Sequence, residues 1–427
     1  MNKFQEMLEK YLMPISIKLS NNKILSIIRD AFIATLPLTI AGSLSLIIQY
    51  FPFIDYVVPA DIMTQVITFL DAMSTATLSV IGLFLAGAIG YYYCKYDHKD
   101  PLFGIVITIS SFLIVTPAGW NEEGAFAYFA LTWLGGQGLF TAMIIGFLSV
   151  MIYCKLIDAN LTIKMPDSVP PMVAEPFKAL IPATITFVVI AAIRYAMGWT
   201  SYGDIHTFFF EFVQQPLTLL GTSLPASIIL VIVIQLLWFM GLHGQNIVGA
   251  VMNPIWTTAM VANLTATQNH QAPQYIFTGH FFSGFIWMQF FSLVIACAFF
   301  SKSNQLKTVG KISVGSAIFN ISEPIVFGSP VVLNFTLLIP WVLTMVIYVL
   351  ITWAFMASGL CPLPLGTDIP WTTPPIISGY LITGSFMGAV VQIVNLIVGT
   401  FVYLPFVKMY DKQLLKAENK TEELIEE

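Results

Sequence analysis

The stretch N-I-S-E-P-I-V-F-G-S-P, Asn320–Pro330, decides how this chain is read. Between Phe212 and Val407 the formally charged side chains are Lys302, Lys307, Lys311, Glu323 and Asp368, and the lysines share one polar loop. Glu323 therefore stands nearly alone in apolar sequence. An ionised carboxylate at the centre of a bilayer costs roughly 2.5–3.5 kcal/mol even on lenient insertion scales, so a carboxylate retained there points to a function. Pro324 and Pro330 bracket Gly328 and Ser329, a combination that an uninterrupted helix tolerates poorly. With Pro324 at the first helical position, Glu323 becomes the N-cap of a short helix, its carboxylate near the positive end. Membrane transporters place substrate sites at such broken helices. The competing reading is a structural one, a buried Glu323 hydrogen-bonded to neighbouring backbone.

Composition supports a membrane setting. Of 427 residues 57% are hydrophobic and 10% charged, with a mean hydropathy of +0.81. The apolar runs are long and continuous rather than short and alternating, which excludes a β-barrel and indicates an all-α polytopic membrane protein. The net charge of −5 decides little, because the placement of charges matters more than their sum. Cys94, Cys154, Cys297 and Cys361 are widely spaced and suggest neither a disulfide framework nor a zinc site. No cleavable signal peptide is expected from the polar first residues. The sequence contains no Walker A, HExxH or GxSxG pattern, so neither ATP-driven transport within this chain nor common hydrolase chemistry is supported. No catalytic residue, metal, cofactor or nucleic-acid partner is expected.

Apolar spans are predicted at Ile24–Tyr50, at a segment ending in Tyr91-Tyr92-Tyr93, and at Leu102–Trp120, Leu134–Leu156 and Ala179–Met197. Phe208–Leu220 reads as an amphipathic helix on the outer face. Further spans follow at Leu224–Gly241, Gln245–Leu264 (interrupted at Asn253-Pro254), Phe281–Phe300, Leu337–Ala357 and Ile376–Val407. Proline and glycine mark two re-entrant hairpins, near 312–334 and 361–375. The fold class is thus about ten transmembrane helices plus two re-entrant hairpins and amphipathic helices. With Met1–Asn22 as a cytoplasmic surface segment and both termini inside, every lysine falls on the cytoplasmic side, and Arg194 alone among basic residues does not. Residues 1–200 read as a scaffold or dimerisation domain of five spans. Residues 201–412, which hold nearly all the broken and polar membrane-depth sequence, read as a substrate-binding transport domain, and 413–427 as a cytoplasmic tail.

A second focus is His243, in G-L-H-G-Q-N, where Gly241 and Gly244 flank a polar elbow that continues into Gln245 and Asn246. Exposed backbone, imidazole and amide suit a hydroxyl-rich ligand; a packing histidine is the alternative. Trp238 and Trp371 offer flat apolar faces on which the C–H face of a pyranose can stack, or they are packing residues and interface anchors. Glu323, His243, Trp371, Asn320 and Gln245 form the chemical set of a carbohydrate site. Asp368 reads as a mouth residue facing water. His280 and His270 read as ordinary residues in or near an outer loop, and His206 and His98 as surface residues.

I-S-E-P-I-V-F-G-S-P-V-V-L-N at Ile321–Asn334 and G-L-H-G at Gly241–Gly244 resemble the membrane-embedded IIC component of phosphoenolpyruvate-dependent sugar phosphotransferase systems, in the lactose/cellobiose/diacetylchitobiose branch. I-K-M-P-D-S-V-P-P-M-V-A at Ile163–Ala174 and P-L-T-L-L-G-T-S-L-P at Pro216–Pro225 are similar to further stretches of that family, and the resemblance runs to Lys412. It implies a multi-pass protein of the bacterial plasma membrane, a homodimer formed through the first five spans. It also implies a disaccharide substrate moved by an elevator-like shift. The phosphoryl group comes from a separate cytoplasmic IIB protein, ultimately via IIA. Glu323 and His243 would hold sugar hydroxyls, and Trp238 and Trp371 would pack on the rings. Two departures stand out: Phe335 follows Asn334 where the family has Pro, and Phe282–Met288 replaces a Gly-rich run with aromatics that would reshape any pocket they line. The rival reading is an ion-coupled secondary permease with Glu323 and His243 as a proton relay; an intramembrane hydrolase using the same pair is a third.

Overall fold

The computed structural model describes residues 22–42, 58–120, 127–166, 169–329 and 331–426, with positions 14, 18, 44 and 48. Most of Met1–Asn22, the end of the first predicted span, Glu122, Glu123 and Pro330 lie outside the described residues. The chain is mostly helical. Helix α1 is Lys23–Gly42, α2 Ala60–Thr77, α3 Ile81–Tyr96, α4 Pro101–Val115, α5 Leu139–Asp158 and α6 Pro171–Met197. Among the described residues seven helical stretches are long and apolar enough to cross a membrane, or eight if a pair bent by 69° counts as one.

Local chemistry sets the ends of these helices. Asp100 caps α4 by accepting from the Leu102 amide at 2.9 Å, with Pro101 at the first position. The predicted span to Trp120 stops short, at Val115. Thr116 precedes Pro117, which forces it into an extended conformation (φ −72°, ψ 128°), and Ala118–Trp120 then pairs antiparallel with Ala127–Phe129. Helices α3 and α4 meet at Gly90 and Gly104, where a Cβ on Gly90 would stand 2.1 Å from the Gly104 carbonyl oxygen. Lys23 pairs with Asp97, and Lys99 with Asp158 at 2.9 Å, so the start of α1, the α3–α4 turn and the end of α5 share one end of the bundle. Cys94 and Cys154, far apart in sequence, approach to 3.9 Å between α3 and α5.

Helix α7 is Ile205–Gly221, with one π turn at Phe210–Gln214, and it bends by 69° into α8, Leu224–Phe239. Helix α9, Gly244–Gln268, runs through Asn253-Pro254 without interruption. Pro254 removes one N–H from the ladder, and the 25-residue helix carries that loss. A π segment, Phe281–Ile286, leads into α10, Gln289–Phe300, then α11, Asn304–Ile318. The first predicted break is present: α11 stops, Asn320 adopts φ +59°, and the six-residue α12, Glu323–Gly328, follows. Its N-cap is Ser322, so Glu323 is the first helical residue and Pro324 the second, one position off the sequence expectation. Helix α13 is Phe335–Ala357, α14 Ile377–Thr383 and α15 Phe386–Glu426. The second predicted break, between α13 and α14, is extended chain without a helix.

The departures from the family pattern are absorbed by packing. Asn334 caps α13, accepting from Thr336 and Leu337, so Phe335 occupies a first-turn position whose amide needs no helical acceptor; its ring packs edge-on against Phe239 at 5.1 Å. Phe281, Phe282 and Phe285 are fully buried in one core that unites α8 through α15, with Phe282 stacked on Trp256 at 4.4 Å. These aromatics fill the core and leave pocket surface to others.

Candidate functional site

The first break and the α8–α9 elbow bring His243 and Glu323 face to face, and the second break is tied to the first through Asn320. His243 ends the elbow as the N-cap of α9: its Nδ1 accepts from the Asn246 amide at 3.3 Å. An accepting Nδ1 assigns the proton of a neutral imidazole to Nε2. Nε2 faces Glu323 Oε1 across 3.9 Å, with the two side chains 42% and 47% exposed. That separation exceeds a direct hydrogen bond. It suits an inserted hydroxyl: an oxygen about 2.8 Å from both atoms sees them at close to 90°, so it can accept from Nε2–H and donate to the carboxylate.

Trp238 lies beneath His243. It is 2% exposed, its ring centroid is 4.6 Å from the imidazole and 6.3 Å from Phe327, and its Nε1–H donates to Gln245 Oε1. The indole thus orders His243 and Gln245 and presents little free face. Trp371, in contrast, is 57% exposed. The Asn320 side chain joins the two breaks, its Nδ2 donating to the carbonyls of Trp371 at 2.8 Å and Thr373 at 3.0 Å. Glu323, His243, Trp238 and Gln245 thus form one connected group, while Asn320 and Trp371 form a second, joined through backbone carbonyls of the second break. Phe327, half-exposed on α12 one turn after Glu323, adds an aromatic face that the sequence analysis does not include; its i+4 spacing from Glu323 is the signal that could find it.

Three expectations are corrected. Asp368 does not face water: it is 5% exposed, with Oδ1 2.9 Å from His280 Nε2 and Oδ2 accepting from the Thr39 hydroxyl. His280 is 7% exposed and held in that pair rather than free in a loop. His206 is fully buried, its Nε2 3.0 Å from Thr116 Oγ1 and its ring among Phe112 and Trp133, because α7 folds back onto the end of α4. His98 and His270 are exposed, as expected. Among the described residues no group of histidine, cysteine and carboxylate side chains could hold a metal. A cleft of about 510 Å³ at the ends of α4 and α6, lined by Arg194, Tyr195, Trp199 and Asp204 among others, involves none of the six residues.

The family description "Phosphotransferase system, EIIC" matches residues 29–344. This chain is a phosphotransferase-system EIIC protein. The EIIC chain is 38% identical over 423 residues to the oligo-beta-mannoside-specific EIIC component of Bacillus subtilis (strain 168), covering 97% of this chain and 96% of that one. It is 37% identical to the cellobiose-specific EIIC component of Geobacillus stearothermophilus, covering 97% and 95%. Its fold is similar to that of the transporter ChbC, the IIC component of an N,N′-diacetylchitobiose-specific phosphotransferase system. That match has a TM-score of 0.90 and 36% identity, over 97% of this chain and 99% of the other. The EIIC protein is accordingly a multi-pass sugar permease of the bacterial plasma membrane.

Proposed function

We propose that this EIIC protein binds a disaccharide of the cellobiose or diacetylchitobiose kind from outside and carries it inward. Residues 201–412 would shift against a dimeric scaffold of 1–200 in an elevator-like motion, and the sugar would be presented to a cytoplasmic IIB partner charged by IIA. The observation that carries the reading is the Glu323–His243 gap of 3.9 Å, sized for one hydroxyl. In this reading the hydroxyl held in the gap is the acceptor or its neighbour. Glu323 takes up the proton released as the oxygen attacks phosphorus and the bond from phosphorus to the IIB carrier residue breaks, the leaving group staying on IIB, so the phosphoryl group never resides on this chain. Trp371 stacks on a sugar ring, while Trp238, Gln245 and Asn320 hold the contacting groups in place. The relatives' named sugars support the substrate class. Two re-entrant hairpins around Glu323 and Trp371 and cytoplasmic termini complete the layout.

The experiment is sugar uptake into membrane vesicles with and without purified IIB, IIA and a phosphoryl source. Phosphorylated cellobiose or diacetylchitobiose inside, dependent on IIB, is expected. Accumulation of unmodified sugar that follows the proton gradient and ignores IIB would replace this reading with an ion-coupled one. Single cysteines at Lys95, Lys155 and Lys307 should resist an impermeant external thiol reagent.

A further inference from the structure

Residues 361–376 run from the buried Cys361, through a buried stretch at 364–369, to the exposed Trp371 and on to Ile376. The path is tightly held at its root. The Thr267 hydroxyl donates to the Leu365 carbonyl at 3.0 Å, Asn263 Nδ2 donates to the Pro364 carbonyl at 2.9 Å, and the Leu365 amide donates to the Ile382 carbonyl at 2.8 Å. Gly366, at φ +85°, lies so close to α9 that a Cβ would stand 2.3 Å from the Leu264 amide nitrogen, so no other residue fits this corner. Next comes Asp368, buried and in contact with His280 and Thr39 from distant parts of the chain. His280 Nε2 sits 2.9 Å from Oδ1, outside linear hydrogen-bond geometry, while His280 Nδ1 is 3.3 Å from Ser283 Oγ. The Thr39 hydroxyl reaches Oδ2 and also lies 2.9 Å from the Leu36 carbonyl. With one proton to give, it favours the charged acceptor.

We propose that Asp368 is a positioning residue for the substrate site: fixed between His280 and Thr39, it sets where Trp371 stands and ties that position to α1. Asp368 does not itself touch sugar, since it is buried and both oxygens are engaged. Three residues on, the chain emerges with Trp371 exposed, and Asn320 holds the tip by two carbonyls. The loop is thus clamped at root and tip, the root clamp crossing the seam between 1–200 and 201–412. A shift of one part against the other must break the Thr39–Asp368 contact, so the contact marks one conformer and releases the loop in the other. This inference rests on the proposed site reading for the role of Trp371.

The test is a double-mutant cycle on the purified full-length protein, with cellobiose, or N,N′-diacetylchitobiose if it binds more tightly, as the probe. Asp368→Asn should weaken binding about tenfold in folded protein, and in the Trp371→Ala background it should cost little more, because both changes remove the same contact. Hydrogen exchange of 369–376 without sugar should accelerate in Asp368→Asn. A folded Asp368→Asn protein with unchanged affinity, or a loss that adds in full to that of Trp371→Ala, overturns the proposal. Should Asp368→Asn fail to fold, Thr39→Val keeps the His280 pair and should cost about threefold, again only when Trp371 is present; unchanged affinity there overturns the tie to α1. Wild-type protein that binds neither sugar, or Trp371→Ala that binds normally, defeats the site reading instead. The exchange of 369–376 then still decides whether Asp368 anchors the loop.

Discussion

Each broken segment of this protein carries one carboxylate, and each carboxylate faces a histidine from another element, yet the two pairs are built for different work. Glu323 and His243 stand 3.9 Å apart and close to half-exposed, with hydrogen-bonding capacity unused. Asp368 and His280 stand 2.9 Å apart with side chains 7% and 9% exposed, and a third group, Thr39, fills the remaining oxygen. Burial decides the difference. A closed pair has no room for a ligand and holds structure, because either charge left alone in the interior is costly. An open pair costs less to keep and leaves its donors and acceptors to an incoming hydroxyl. The same two residue types thus give an anchor in one break and a candidate contact in the other.

The largest effect that would test this contrast is on stability. His280→Ala removes the histidine from the buried Asp368 carboxylate and should cost about 3–5 kcal/mol, whereas His243→Ala at the open pair should cost under about 1 kcal/mol. Denaturant unfolding of both variants in one detergent checks the order; equal losses would erase the distinction. Affinity should show the reverse. Glu323→Gln keeps shape and removes charge, and should weaken sugar binding by roughly 1.5–3 kcal/mol, one to two powers of ten, with an unaltered unfolding midpoint. A well-folded Glu323→Gln protein with normal affinity and normal sugar phosphorylation would remove Glu323 from the site.

Smaller effects sharpen the contrast at the tip of the second break. Trp371→Ala should lower affinity by about 1–2 kcal/mol and Trp371→Phe by less, since a flat apolar face survives; equal titrations for all three proteins would make Trp371 a packing residue. Asn320→Gly keeps the positive φ and drops two hydrogen bonds to exposed backbone, for about 0.5–1.5 kcal/mol of affinity. Asn320→Ala should lose more, because φ +59° then strains the chain as well. An Asn320→Ala protein that binds like wild type would show that the two breaks are not coupled through this amide.

Much of this architecture is legible in the sequence. Isolation in apolar sequence marks Glu323, glycine punctuation marks the His243 elbow, and proline marks both breaks, because in a membrane each charge and each lost backbone hydrogen bond must be accounted for. Helix ends are less secure. Val115 ends α4 early through the backbone preference of Thr116 before Pro117, and Glu323 stands one position inside α12 because Ser322 takes the cap.

What the sequence by itself determined is the class of the molecule, its mostly helical character, its two breaks and the chemical inventory from which a sugar site can be made. All of that follows from local hydropathy, backbone propensity and residue type. Only the tertiary structure decided the partners. Asp368 reads as a water-facing residue until α1 and the π segment bring Thr39 and His280 against it. Trp238 reads as an open ring until His243 lies over it, and Asn320 as a ligand until the second break offers it two carbonyls. Burial and pairing belong to groups far apart in the chain, and a carboxylate's surroundings, not its identity, settle whether it binds or holds.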